Sequence, residues 1–122
     1  MTARVNLSSE SRYEPEVGYS RAVRTGGLIV VSGTTAPGAD IAEQTRNALH
    51  RIGSAVQALG GELADVIRTR IFVTDISQWR AVGAVHAEFF GGIRPAATMV
   101  EVSALIDPGL LVEIEADAYV AG

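Results

Sequence analysis

Apolar and polar residues alternate along the C-terminal segment from Leu110 to Val120, and this period of two predicts a β-strand. One face is apolar and the other is largely acidic: Val112, Ile114, Ala116, Ala118 and Val120 oppose Glu113, Glu115, Asp117 and Tyr119. Successive acids on such a strand lie about 7 Å apart, and an apolar core cannot hold them unpaired. We therefore expect the acidic face to meet basic residues, water or a cleft.

The N-terminal part of the chain predicts three strands and one loop. Residues 4–7 predict a short strand, and the polar, proline-containing residues 8–16 predict a loop. The pair Gly26-Gly27 predicts a hairpin between strands at Tyr19–Arg24 and Leu28–Thr34. The second of these strands begins with an unbroken apolar run, which indicates burial on both faces.

Two segments have the period of an amphipathic helix. The first follows Asp40, where Glu43 stands at capping-box spacing, and ends at Gly60-Gly61, with Gly61 or a neighbour in a left-handed conformation. The second is capped by Ser77 and ends at Gly91-Gly92. The apolar faces are Ile41, Thr45, Ala48, Leu49, Ile52, Val56 and Leu59 in the first helix, and Trp79, Val82, Val85 and Phe89 in the second.

Two further strands complete the pattern. The first spans Ala64–Thr74 and places Arg68 and Arg70 on one face, where they could neutralise the acids of the last strand. The second spans Ala97–Leu105 and is joined to the last strand by a turn at residues 107–109. Apart from the short strand at residues 4–7, the resulting order is β-β-α-β-α-β-β, which predicts a single two-layer α+β domain over residues 1–122.

Composition narrows the class of protein. The chain has 122 residues, 48% of them hydrophobic, and a formal net charge of −4, which disfavours a nucleic-acid partner. It has no cysteine, and its two histidines, His50 and His86, lack the spacing of a zinc site. No apolar run is long enough to span a membrane. We expect a cytoplasmic protein without metal or cofactor, and the high apolar fraction favours an oligomer.

Several segments, in order and spacing, resemble the RidA/YjgF family of reactive enamine/imine deaminases. They are GYSRAV, LIVVSGTTAP, DVIRTRIFVTDISQW, HAEFF, PAATMVEVSAL and VEIEADAYV. The resemblance implies a chorismate-mutase-like fold, in which the helices cover one face of a mixed sheet. It also implies a homotrimer that binds a small molecule in clefts between subunits.

The resemblance assigns roles to particular residues. Glu113 would position a water or shuttle a proton, and Tyr19, the Ser32-Gly33 loop and the second helix near Phe89 would contact the ligand. The residues alone leave alternatives open. Glu113 could instead pair with Arg68 or Arg70, and Tyr19 could simply pack on the sheet. Ser32 lies in V-S-G-T rather than G-x-S-x-G, so we expect backbone contacts there and not a nucleophile.

One position departs from the family. The arginine that grips the substrate carboxylate in well-characterised members corresponds to Ala97, so Arg94 and Thr98 are the nearby candidates to replace it. His86 stands where those members carry tyrosine, and we expect it to be a half-buried packing residue. Two functions stay open: a deaminase whose substrate differs from 2-aminoacrylate, and a non-catalytic trimer that binds metabolites or a protein partner. A ribonuclease is disfavoured by the acidic charge.

Overall fold

The computed structural model describes residues 3–122. Its strands and helices are β1 (Arg4–Leu7), α1 (Tyr13–Val17), β2 (Ala22–Thr25), β3 (Leu28–Thr34), α2 (Ile41–Ala58), β4 (Val66–Val73), α3 (Trp79–Phe90), β5 (Ala96–Glu101) and β6 (Val112–Tyr119). Short 3₁₀ turns at Leu63–Asp65 and Ile76–Gln78 precede β4 and α3. The strands form one sheet in the order β1-β2-β3-β6-β4-β5, in which only β4 and β5 run parallel. Helices α2 and α3 cover one face, which confirms the α+β prediction.

The hydrophobic core lies between the sheet and α2, and it contains the predicted apolar faces of α2 and β6. Helix α2 begins at Asp40, whose side chain accepts a hydrogen bond of 2.8 Å from the Glu43 amide. The carboxylate of Glu43 reaches back to the amide of Ala39 and not to that of Asp40, so the capping box is displaced by one residue. The helix ends before Gly60, whose φ of 89° is the left-handed conformation that glycine accommodates.

The N-terminal part differs from the prediction in three places. Part of the predicted loop is helical: α1 tolerates Pro15 because a first-turn residue has no intrahelical hydrogen bond to lose. Strand β2 begins at Ala22, three residues later than predicted. In β3 only alternate residues are buried. Leu28 and Val30 are 39% and 37% exposed because no second layer covers that face of the sheet in a single chain.

The C-terminal part also contains differences. An irregularity in the pairing of β4 with β6 places Val66 in the core and leaves Ile67 exposed, against the predicted alternation. The second helix is preceded by Asp75, which accepts the amide and hydroxyl hydrogen bonds of Ser77. Phe90 rather than Phe89 fills the core, and Trp79 is exposed. Strands β5 and β6 are shorter than predicted and are separated by β4.

Candidate functional site

A cleft of about 890 Å³ opens where the end of β3 meets the segment that follows β1 and the middle of α2. The residues that matter for its chemistry are Tyr19, Arg21, Gly33, Arg51 and Glu113. They come from the approach to β2, the end of β3, α2 and the start of β6, so the sheet and its covering helix together position them. Three of them, Tyr19, Gly33 and Glu113, are residues that the sequence analysis placed at the ligand.

A β-bulge brings Glu113 into the cleft. Between Val31, which faces Ala116, and Thr34, which faces Ile114, strand β3 has one residue more than β6. The Glu113 carboxylate lies directly against Gly33 in this bulge. A methyl group added to Gly33 would stand 2.5 Å from Oε2 of Glu113, so the close approach requires glycine.

Strand register leaves Glu113 without an arginine partner. Arg70 of β4 lies opposite Glu115 and binds Glu115 and Asp117 at 3.3 and 3.2 Å, whereas Phe72 lies opposite Glu113. The alternative in which Glu113 pairs with Arg68 or Arg70 is therefore wrong, and Arg70 serves the other two acids. Within residues 3–122 no group donates a hydrogen bond to the side-chain carboxylate of Glu113. Its pKa is raised, first by burial and then by Glu115, while Arg21 opposes the shift.

The sequence analysis missed both arginines of the cleft, Arg21 and Arg51, and Arg21 lies nearer to Glu113 along the contacts of Gly33. Nη2 of Arg21 donates a hydrogen bond of 2.6 Å to the carbonyl oxygen of Gly33, and its Nε is buried without a partner in the described part of the chain. Burial lowers the pKa of Arg21, and the nearby Tyr19, Glu14 and Glu113 oppose that shift. A signal was available, because residues 19 and 21 share one side of an extended segment.

A buried carboxylate shapes the wall of the cleft. Glu14 of α1 is only 5% exposed and accepts hydrogen bonds from the amide and hydroxyl of Ser9 and from the hydroxyl of Ser8. These hydrogen bonds, those from Ser9 above all, lower the pKa of Glu14. They tie α1 to residues 8–9, so the segment between β1 and Tyr19 forms a defined wall.

The remaining predicted residues lie elsewhere. The hydroxyl of Ser32 donates a hydrogen bond of 2.6 Å to the Ser20 carbonyl, and Ser32 does not line the cleft with Glu113. Phe89 is half-buried and meets the ring of His50 edge-on, with 5.0 Å between centroids. Arg94 is exposed, with a φ of 57°, and its Nε donates to the carbonyl of Gly91 at the end of α3.

Ala97 and Thr98 are exposed on the edge strand β5. Ala97 pairs with Thr69 of β4, which lies opposite Ala116, three positions along β6 from Glu113. Two strand spacings and three residues correspond to about 14 Å. A single chain therefore does not bring Ala97 and Thr98 to the Glu113 cleft.

His86 lies behind this edge, on α3. Its Nε2 is 2.9 Å from the Thr69 hydroxyl, and its ring packs at 4.7 Å from that of Phe90. Burial lowers the pKa of His86, which favours the neutral ring. His86 is half-buried, as expected.

Residues 3–122 contain neither a metal-binding cluster nor a membrane-spanning helix. No group of three or more His, Asp or Glu side chains is arranged to hold a metal ion in this range. None of its helices combines the length and the apolar character that crossing a membrane demands.

Comparison with known proteins places the chain among relatives of similar length. The family model described as endoribonuclease L-PSP matches residues 9–120. The crystal structure of Rv2704 from Mycobacterium tuberculosis, described as a member of the YjgF/YER057c/UK114 family, is 66% identical, with a TM-score of 0.95 over 97% of this chain and 100% of that chain. Uncharacterized protein SCO2049 of Streptomyces coelicolor is 35% identical, covering 93% of this chain and 90% of the relative. RutC family protein PH0854 of Pyrococcus horikoshii is 34% identical, covering 93% and 95%.

Proposed function

The chain belongs to the RidA/YjgF family, and from that premise we propose that it hydrolyses small enamines or imines, with Glu113 as the group that transfers protons. One observation carries the proposal. Glu113 is a half-buried carboxylate with a raised pKa, it lines a cleft of about 890 Å³, and it receives no hydrogen bond from residues 3–122. A structural carboxylate would be paired, as Glu115 is with Arg70. An unpaired carboxylate with a perturbed pKa is typical of a proton-transfer group.

The chemistry follows from the position of this group. An enamine first takes a proton on carbon from the Glu113 carboxylic acid and becomes an iminium ion. Water then adds to the iminium carbon, forming a C–O bond, while the Glu113 carboxylate accepts a proton from that water. Glu113 then returns its proton to the nitrogen of the resulting carbinolamine, and the C–N bond breaks to release ammonia. The hydroxyl group passes its proton to the Glu113 carboxylate as the C=O bond forms, so a neutral carbonyl product leaves and the Glu113 carboxylic acid is regenerated. A pKa raised above the usual carboxyl value makes it easier for Glu113 to hold the proton that it donates in the first step.

We further propose that three copies assemble through the sheet face opposite the helices. Leu28, Val30, Val100 and Tyr119 expose apolar surface on or beside that face, and clustered apolar exposure is typical of an interface. The family resemblance supports a homotrimer with clefts between subunits. In such an assembly, Ala97 and Thr98 of one subunit would approach the cleft of a neighbour.

The family model carries the name of an endoribonuclease, but the charges of this chain favour a small substrate. The net charge is −4, and the cleft balances Arg21 and Arg51 with Glu10 and Glu113. Binding a polyanion depends on several cations that displace counterions, and two arginines beside two carboxylates do not supply them.

The test is ammonia release from imines generated in situ by an amino-acid oxidase. Glu113→Gln removes the proton-transfer group and should lower kcat by about 10²- to 10⁴-fold. Glu115→Gln is the matched control, because Glu115 lies on the same face but pairs with Arg70, and it should retain activity. Equal rates for wild type and Glu113→Gln would exclude the proposed role. A wild type that accelerates no imine would favour the non-catalytic binding alternative.

A further inference from the structure

Two guanidinium groups of the cleft have no part in the proton transfers described above. Arg21 donates to the carbonyl of Gly33, and Nη1 of Arg51 donates at 2.7 Å to the carbonyl of Thr35. Both side chains are therefore tethered to the end of β3, at carbonyls about 7 Å apart along an extended chain. Each has further N–H groups, and both residues line the cleft.

The acids around Arg21 do not neutralise it by direct contact. Glu14 is occupied by the hydrogen bonds of Ser8 and Ser9, and Glu10 is exposed at the cleft rim. Glu113 is close enough to influence the pKa of Arg21, yet neither it nor any other acid in residues 3–122 forms an ion pair with Arg21. Nη1 of Arg21 likewise makes no hydrogen bond within this range. A half-buried guanidinium with an unused donor edge on a cleft is a ready anion-binding group.

We infer that Arg21, with Arg51 beside it, forms an anion subsite that binds the carboxylate of a small substrate in the Glu113 cleft. The inference rests on the proposed function and specifies its substrate class. It revises the expectation that Ala97 deprives the chain of a carboxylate-binding arginine, because Arg21 provides a guanidinium from another part of the fold.

The contacts of Gly33 hold Arg21 and Glu113 close together, and this spacing limits the length of the substrate. Arg21 binds the carbonyl oxygen of Gly33, while the Glu113 carboxylate lies against its Cα. The Arg21 nitrogen that binds the Gly33 carbonyl and the Glu113 carboxylate are thus about one residue of backbone apart. A substrate whose carboxylate is attached directly to the imine carbon spans that distance, whereas a longer acid would place its reacting carbon beyond Glu113. The subsite therefore selects short 2-imino acids.

Calorimetric titration with pyruvate and with its neutral isostere pyruvamide tests the subsite without turnover. Wild type should bind pyruvate at least tenfold more tightly than pyruvamide, and Arg21→Gln should remove that preference. Arg21→Lys, which keeps the charge but loses the fork, should be intermediate. Arg46→Gln is the matched control, since Arg46 pairs with Glu88 away from the cleft, and it should bind as wild type does. Circular dichroism establishes whether each variant is folded.

The subsite is excluded if wild type shows no preference for pyruvate, or if folded Arg21→Gln keeps the wild-type preference. Should Arg21→Gln fail to fold, Arg21→Lys provides the test. If Arg21→Lys prefers pyruvate as strongly as wild type does, the guanidinium of Arg21 is not what binds the carboxylate; a weaker preference supports the proposed contact. Glu113→Gln separates the two proposals, because it should still prefer pyruvate while losing ammonia release. If it keeps both, the proton-transfer role fails and the anion subsite stands.

Discussion

Replacing Gly33 with alanine should damage the site while sparing the fold. The backbone at Gly33 is not left-handed, so alanine introduces no φ strain there. Its methyl group would stand 2.5 Å from Oε2 and 3.0 Å from Cδ of Glu113, and contacts under 3.0 Å essentially never occur for real Cβ atoms. The three nearest atoms all belong to the flexible Glu113 side chain. The carboxylate will therefore move and the strands will stay in place.

The distance by which the Glu113 carboxylate is displaced determines how far kcat should fall. Ordinary van der Waals contact with a Cβ begins at 3.4 Å, so restoring it requires the carboxylate oxygen to move by about 0.9 Å or more. A misplacement approaching 1 Å can cost about 10²-fold in rate when a reaction depends on alignment. We expect kcat for ammonia release to fall by roughly ten- to a hundredfold, with the melting temperature close to that of wild type.

Gly83→Ala is the matched control. Gly83 lies within α3, and no atom is within 4 Å of the position that its Cβ would take. Alanine there should stabilise the helix by about 0.5–1 kcal/mol and leave ammonia release unchanged. Full activity in Gly33→Ala would show that the position of Glu113 against Gly33 is irrelevant to the reaction. A large loss of melting temperature would show instead that the bulge cannot accept a side chain.

Three further outcomes are expected. Sedimentation should show a homotrimer at micromolar concentration, and a stable monomer would contradict the proposed interface. Gly60→Ala, at a φ of 89°, should cost about 1–2 kcal/mol of stability, measured by denaturant unfolding, whereas Gly92→Ala, in open space, should not. Because the pKa of Glu113 is raised in the folded state, the folded protein binds more protons than the unfolded chain between the ordinary and the raised pKa, so stability falls as pH rises through that window. Glu113→Gln should remove this fall and stabilise the protein at neutral pH, and an unchanged pH profile of unfolding would contradict the pKa shift.

Local periodicity made much of the fold predictable. The alternation of β6 and the apolar face of α2 depend on residues that are close in sequence, and the structure buries the residues that these patterns selected. The bulge at Ile67 was not predictable in the same way, because it depends on how β4 meets β6. Burial of β3 also depends on what covers the sheet, which a pattern within one strand does not reveal.

In the site, too, some features depend on local sequence and others on contacts between strands. Alternation alone placed Glu113 on the acidic face, but the register of β4 against β6 decides which acids Arg70 reaches. A shift of two residues would pair Arg70 with Glu113 and leave no free carboxylate at the bulge. The distinction between a proton-transfer group and an ion-pair partner is therefore a property of register, which is set by tertiary packing.

The positions of Ala97 and Arg21 have different consequences for assembly. An arginine at position 97 would be about 14 Å from the Glu113 of its own chain, which is further than its side chain extends, so it could serve only the cleft of a neighbouring subunit. Arg21 and Glu113 belong to one chain and meet at Gly33. If Arg21 supplies the guanidinium in place of an arginine at position 97, the anion-binding group and the proton-transfer group belong to the same subunit. Recognition of the carboxylate then depends on the bulge of β3, and contacts between subunits are left to close the cleft around it.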